Sequence, residues 1–85
     1  MLTVELYTSP FCGYCIAAKR LLSKKGISFL EVDLSLEPSR RSEMLLRAHG
    51  KHTVPQIFIN NQHVGGCDEL YELDQSGELV TMLTK

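Results

Sequence analysis

An α/β fold, with a four-stranded mixed sheet and helices on both of its faces, is what this 85-residue chain predicts, and three stretches predict it. Leu2, Val4 and Leu6 alternate with polar residues, the period-two signature of a half-buried strand. Ala17, Ala18, Leu21 and Leu22 then recur on one helical face. Further on, Ile57-Phe58-Ile59 is a compact apolar run of the kind a buried central strand needs.

The elements follow in order. After the first strand, a helix runs from about Gly13 to Lys25. Lys24 and Lys25 suit its negative C-terminal end, and Gly26 stops it. Ile27 to Asp33 reads as a second strand, and a loop through Ser35 and Pro38 leads to a helix over Ser39 to His49, ended by Gly50. Gln56 to Asn60 is the central strand. Asn60-Asn61 suits a two-residue hairpin turn, since Asn tolerates positive φ, and His63 to Gly65 returns as a short edge strand. A third helix begins near Cys67 or Asp68, with Asp68 as N-cap, and Gly77 breaks it before a last turn containing Leu79, Val80, Met82 and Leu83. The order β-α-β-α-β-β-α gives the mixed sheet. The stripe Leu70, Leu73, Met82 and Leu83 reads as core, and His49 and His63 as surface or capping residues.

Composition bounds the function. Residues 1–85 suit one domain, with no repeat, linker or low-complexity segment. Hydrophobic residues at 44% and charged residues at 22% describe a globular protein, and a net charge of −1 points neither to nucleic acid nor to a membrane. Eight of the nine basic residues lie in residues 1–51, while Asp68, Glu69, Glu72, Asp74 and Glu78 cluster later, a distribution that solvated helix faces explain. No run approaches the roughly 18 apolar residues of a membrane span. Met1-Leu2 leaves no room ahead of Thr3 for a secretory signal. Three cysteines, an odd number, argue against a disulfide scaffold and for a reducing, cytoplasmic home.

Cys12-Gly13-Tyr14-Cys15 carries the chemistry. It sits between a strand and a helix, where two thiols at this spacing read as a redox motif. The first helical turn leaves unpaired N–H groups and the positive end of the macrodipole, both of which stabilise an anion. A cysteine there is acidified, and the thiolate is the nucleophile. Cys15, three residues on, shares nearly the same helix face and can close a disulfide with Cys12. Half of a zinc site and a structural disulfide are the rivals. The first needs two more ligands, usually a second spaced pair, which Cys67, His49, His52 and His63 do not form. The second closes too short a loop to stabilise the fold much.

Two more loops have the makings of a ligand site. Val54-Pro55 precedes the buried strand, where proline's missing donor does no harm. Trans is the default for such a bond, whereas a cis bond would turn the chain and free the Val54 backbone for a peptide-like ligand. In Gly65-Gly66-Cys67-Asp68 the glycines allow close backbone approach, and the helix N-terminus behind them faces an anion. Asp68 could cap that helix, bind a ligand ammonium, or do both.

Tyr7-Thr8, Cys12-Gly13-Tyr14-Cys15, the segment from Thr53-Val54-Pro55 to Ile59, and Gly65-Gly66-Cys67-Asp68 together resemble a dithiol glutaredoxin of bacterial type. The resemblance covers essentially the whole chain. It implies a thioredoxin-like fold with strand order 2-1-3-4, and a glutathione-dependent enzyme that reduces protein disulfides and glutathione mixed disulfides. It makes Cys12 the nucleophile and Cys15 the resolving thiol. It also implies a glutathione groove formed by Tyr14, Thr53, Val54, a cis Pro55, Gly66, Cys67 and Asp68. There Val54 pairs with the cysteinyl backbone of glutathione, while the Cys67 and Asp68 backbone and the Asp68 carboxylate hold the γ-glutamyl end. The Cys67 side chain reads as a small packed hydrophobe. Lys51, His52 and Arg47 compete for the glycine carboxylate, with Lys51 preferred. Glutathione and disulfide-bearing or glutathionylated proteins are the expected partners, and a monomer is the expected state.

Two departures from the family pattern matter. Gly13 stands where Cys-Pro-Tyr-Cys is usual, which loosens the first helical turn and adds a donor near the sulfur. Relatives with a small residue there, and the single-thiol branch with Cys-Gly-Phe-Ser, hold an iron–sulfur cluster between two subunits. This chain therefore has an alternative reading as a glutathione-ligated [2Fe–2S] carrier in a bridged dimer. Ser9 stands where relatives often carry a lysine that helps hold the thiolate, so Cys12 depends more on the helix N-terminus. A third reading is a dithiol recycled by thioredoxin reductase instead of glutathione.

Overall fold

Alternation along the first strand sorts the sheet's two faces. The structure, a computed structural model, describes residues 3–83, so the expectation for Leu2 lies outside the described residues. β1 (Val4–Thr8) sends Val4 and Leu6 to one core and Tyr7 to the other. It lies inside a four-stranded sheet of order β2-β1-β3-β4, with β2 at Leu30–Asp33, β3 at Gln56–Ile59 and β4 at Gln62–Gly65. β1 pairs in parallel with β2 and antiparallel with β3, and β3 pairs antiparallel with β4. This is the expected mixed sheet. Asn60 and Asn61 turn the β3–β4 hairpin with φ of 51° and 66°, the left-handed pair that a two-residue turn requires.

Helices cover both faces. On one, α1 (Gly13–Lys24), α3 (Cys67–Ser76) and α4 (Glu78–Leu83) pack Ala18, Leu21, Leu22, Leu70 and Leu79 onto Leu6, Ile57 and Ile59. On the other, α2 (Arg41–Arg47) contributes Met44, which packs with the following Ala48 onto Tyr7, Val32 and Phe58. Each large side chain so buried contributes about 1.5–3 kcal/mol. Gly26, at φ 72°, ends α1: its N–H donates to Ser23 O and that of Ile27 to Leu22 O, which satisfies two terminal carbonyls. Gly77, at φ 82°, separates α3 from α4. Among the described residues no helix is long and apolar enough to cross a membrane.

Three boundaries differ from the sequence reading. β2 begins at Leu30, not Ile27: Ile27 and Phe29 pack on the core, but ladder pairing with β1 starts at the Glu5–Leu30 register. The second helix is α2 preceded by a 3₁₀ turn, Pro38–Arg40, and it ends at Arg47; His49 and Gly50 have φ of 58° and 85°. Asp68 is not the N-cap of α3. Gly66 holds that position, and Glu69 at N3 reaches back to accept the Gly66 N–H at 2.6 Å.

Candidate active site

The turn between β1 and α1 presents the reactive sulfur. Phe11 holds φ 61°, a left-handed conformation that costs a non-glycine residue about 1–3 kcal/mol, and its ring is fully exposed. Cys12 follows as the N-cap of α1. Its Sγ accepts the backbone N–H of Cys15 at 3.3 Å, taking the place of the oxygen that a serine or aspartate offers in such a cap. The sulfur thus sits on the orphan donors and positive end of α1. As a thiol, Cys12 donates to the Val54 carbonyl at 3.7 Å.

The two thiols live in different media. Cys12 is partly exposed, whereas Cys15 is 1% exposed beneath it. Burial, and next the hydrogen bond with Cys12, push the Cys15 thiol up to about 12, against a lowering contribution from the Ser9 backbone. Cys15 is therefore a protonated reserve thiol at neutral pH. Cys67 is buried as well, among Leu70 and the Ile57 side of the core, and burial followed by the Asp68 charge raises it. All three cysteines are free.

Beside Cys12 runs a groove of about 260 Å³, lined by Tyr14, Thr53, Val54, Pro55, Gly66, Cys67, Asp68 and Glu69. The Val54–Pro55 bond is cis. Tyr14 is largely exposed at the groove's rim. The Asp68 carboxylate, displaced from capping by Glu69, makes no hydrogen bond to the chain among the described residues. Lys51 is exposed and is not part of the lining. A larger cavity, about 410 Å³, lies between β4 and the last two helices; no thiol reaches it.

Arg47, one of three candidates for a ligand carboxylate, is committed elsewhere. Its guanidinium makes two bonds to Glu5, at 3.0 and 3.1 Å, donates to Tyr7 Oη at 2.8 Å and stacks 4.1 Å above the Phe58 ring. It is a clamp over the second core. His49 and His63, which read as separate surface or capping residues, face each other instead. Sequence reasoning also missed Glu69, although the spacing Gly66-Cys67-Asp68-Glu69 matches an N-cap followed by a glutamate at N3. Among the described residues no third or fourth metal ligand gathers around Cys12 and Cys15, so the zinc reading of the motif lacks its ligand set.

The glutaredoxin family model matches residues 4–64, a span that holds β1, the dithiol turn and the Val54–Pro55 loop. The chain belongs to the glutaredoxin family. It is 52% identical to glutaredoxin 3 of Escherichia coli strain K12 over 83 residues, covering 98% of this chain and 99% of that relative. The solution structure of a glutaredoxin from Brucella melitensis is 51% identical and superposes with a TM-score of 0.82, over 98% of this chain and 89% of that one. A buckwheat glutaredoxin–glutathione complex superposes with a TM-score of 0.88 at 32% identity, over 98% and 77% of the two chains. Family and dithiol geometry together make this a thiol–disulfide oxidoreductase with a thioredoxin-like fold.

Proposed function

We propose that glutathione is the reductant and that the groove beside Cys12 is its seat. The observation that carries this reading is the approach of Cys12 Sγ to the Val54 carbonyl, 3.7 Å, at the edge of that groove. A cysteinyl residue paired with the Val54 backbone there would set its sulfur against Cys12. The γ-glutamyl carboxylate would face the N–H groups of Cys67 and Asp68 in the first turn of α3, the Gly66 N–H being taken by Glu69. The Asp68 carboxylate is left to take the ammonium, with Thr53, Pro55 and Tyr14 lining the rest of the groove. Lys51 remains the cation for the glycine carboxylate, since Arg47 is bound to Glu5.

Chemistry follows from the two thiols. The Cys12 thiolate attacks one sulfur of a glutathione mixed disulfide or a protein disulfide. The S–S bond breaks, the leaving thiolate takes up a proton, and Cys12 carries the new mixed disulfide. Cys15 loses its proton and attacks Cys12 Sγ, releasing the second thiol; alternatively glutathione performs that attack. Two glutathiones reduce the Cys12–Cys15 disulfide and leave as glutathione disulfide. The enzyme works as a monomer in the cytoplasm, on glutathionylated and disulfide-bearing proteins. The test is a trap. Cys15→Ser protein exposed to glutathione disulfide should gain the mass of one glutathione on Cys12, with amide shifts at Val54, Cys67 and Asp68. Adduct formation without those shifts would show that the groove is not the seat.

A second reading is favoured by Gly13. Nothing stands within 4 Å of where its side chain would begin, so the first turn of α1 beside Cys12 is open on that side. Cys12 of two chains and two glutathiones would supply the four thiolates of a [2Fe–2S] cluster. Brown colour after anaerobic reconstitution, lost in Gly13→Pro, would support it; a colourless monomer would remove it.

A further inference from the structure

His49, just beyond the end of α2, and His63, on β4, meet across the end of the second core with their Nδ1 atoms 3.3 Å apart. We propose that this pair is a chelating site for a divalent transition-metal ion of the zinc class, outside the thiol site. Spacing is the first argument. A tetrahedral ion bound at about 2.0–2.1 Å to each nitrogen holds its two nitrogens about 3.3–3.4 Å apart, so these atoms already stand at a bite distance.

The proton inventory is the second. Gln56 Nε2 donates to Thr53 O at 3.0 Å and to Thr53 Oγ1 at 3.2 Å, which turns Gln56 Oε1 toward His63 Nε2 at 2.7 Å. His63 therefore carries its proton on Nε2, and its Nδ1 accepts the His49 Nδ1–H; moving the His49 proton to Nε2 leaves both Nδ1 lone pairs for one ion. A metal-binding imidazole is normally held in this way, its far N–H given to an outer acceptor that fixes ring and tautomer. The Phe58 ring, 5.0 Å from His63 and tilted by 32°, holds the imidazole from the side.

Among the described residues no third histidine, cysteine or carboxylate joins the pair, so water completes the coordination and binding is weaker than at a four-ligand structural site.

Zn²⁺ is the probe, titrated calorimetrically into Cys12→Ser/Cys15→Ser protein so that the dithiol cannot compete. One ion should bind per chain at about pH 7.5. His49→Asn should weaken binding at least about tenfold, the scale of losing support at a metal site. Asparagine accepts the φ of 58° at position 49, so the backbone there is retained. His52→Gln should bind as the parent does. Unchanged affinity in His49→Asn, weakened affinity in His52→Gln, or no saturable binding by the parent would each overturn the site.

Discussion

Replacing Cys12 by serine leaves Cys15 as the thiol of the site, and the structure sets how slowly it reacts. With its titration pushed up to about 12, five pH units above neutrality, about 10⁻⁵ of Cys15 is thiolate at pH 7. An ordinary thiol, at about 8.5, is about 3% thiolate there. The deficit is about 3,000-fold. A more basic thiolate is also a better nucleophile: at a Brønsted slope of about 0.4–0.5, the difference of about 3.5 units returns about 40-fold. The net expectation is alkylation about a hundredfold slower than for an ordinary thiol, before any steric hindrance from 1% exposure. Burial, the largest cause of the shift, survives the substitution, whereas the next, the hydrogen bond with Cys12, is lost with the thiol, so about a hundredfold is the upper end of the slowing. The assay is iodoacetamide labelling of Cys12→Ser protein across pH, with the modified cysteine located by mass spectrometry. Its rate should climb tenfold per pH unit past pH 9 without a plateau. A rate near that of wild type at pH 7, or a plateau below pH 9, would refute the division of labour between the two thiols.

Further outcomes follow from the same geometry. Arg47→Met should destabilise the fold by about 2–3 kcal/mol in urea denaturation, because it strips charged hydrogen bonds from Glu5 and Tyr7 in a largely buried clamp. It should leave the KM for glutathione nearly unchanged, whereas a large rise in KM would return Arg47 to the binding site. Asp68→Asn should raise that KM about tenfold or more with little change in kcat, the loss of one charge-assisted contact in steady-state kinetics. Acid should destabilise the protein through carboxylates such as Glu43, held below its ordinary value by Arg40 and then Tyr7. A carboxylate lowered on folding contributes stability above its unfolded pKa of about 4.3, and that stability is lost as pH falls through the lower folded value. The urea midpoint should thus drop below about pH 4.5, and Glu43→Gln should flatten that limb; an unchanged slope would count against the pairing.

Local chemistry made much of this legible beforehand. The alternation of Val4, Leu6 and Ile57-Phe58-Ile59, the paired asparagines at 60 and 61, and the stops at Gly26 and Gly77 each act through their own backbone or pleat. The dithiol turn was legible for the same reason: Cys12 caps the helix that its own sequence starts. What was not legible depends on distance along the chain. Nothing in the sequence joins Arg47 to Glu5, 42 residues away, so a residue offered for a ligand proved to be a structural clamp. Asp68 and Glu69 are both acidic and both near the N-terminus of α3; only the extended Gly66 backbone decides that Glu69 reaches back and Asp68 faces the groove. Ile27 and Phe29 carry a strand's hydrophobic pattern because they are half-buried on the core, yet ladder pairing with β1 begins only at Leu30. His49 and His63 meet only because α2 ends just before position 49, over the far end of the hairpin.

The central claim is that Cys12, placed by the N-terminus of α1 beside a glutathione groove, carries the reaction. The measurement that tests it most directly is glutathione-coupled turnover of a small glutathione mixed disulfide by wild type and by Cys12→Ser. Saturable turnover by wild type, abolished in Cys12→Ser and retained in Cys15→Ser, is the predicted result. Equal turnover by Cys12→Ser, or none by wild type with ample glutathione, would contradict it.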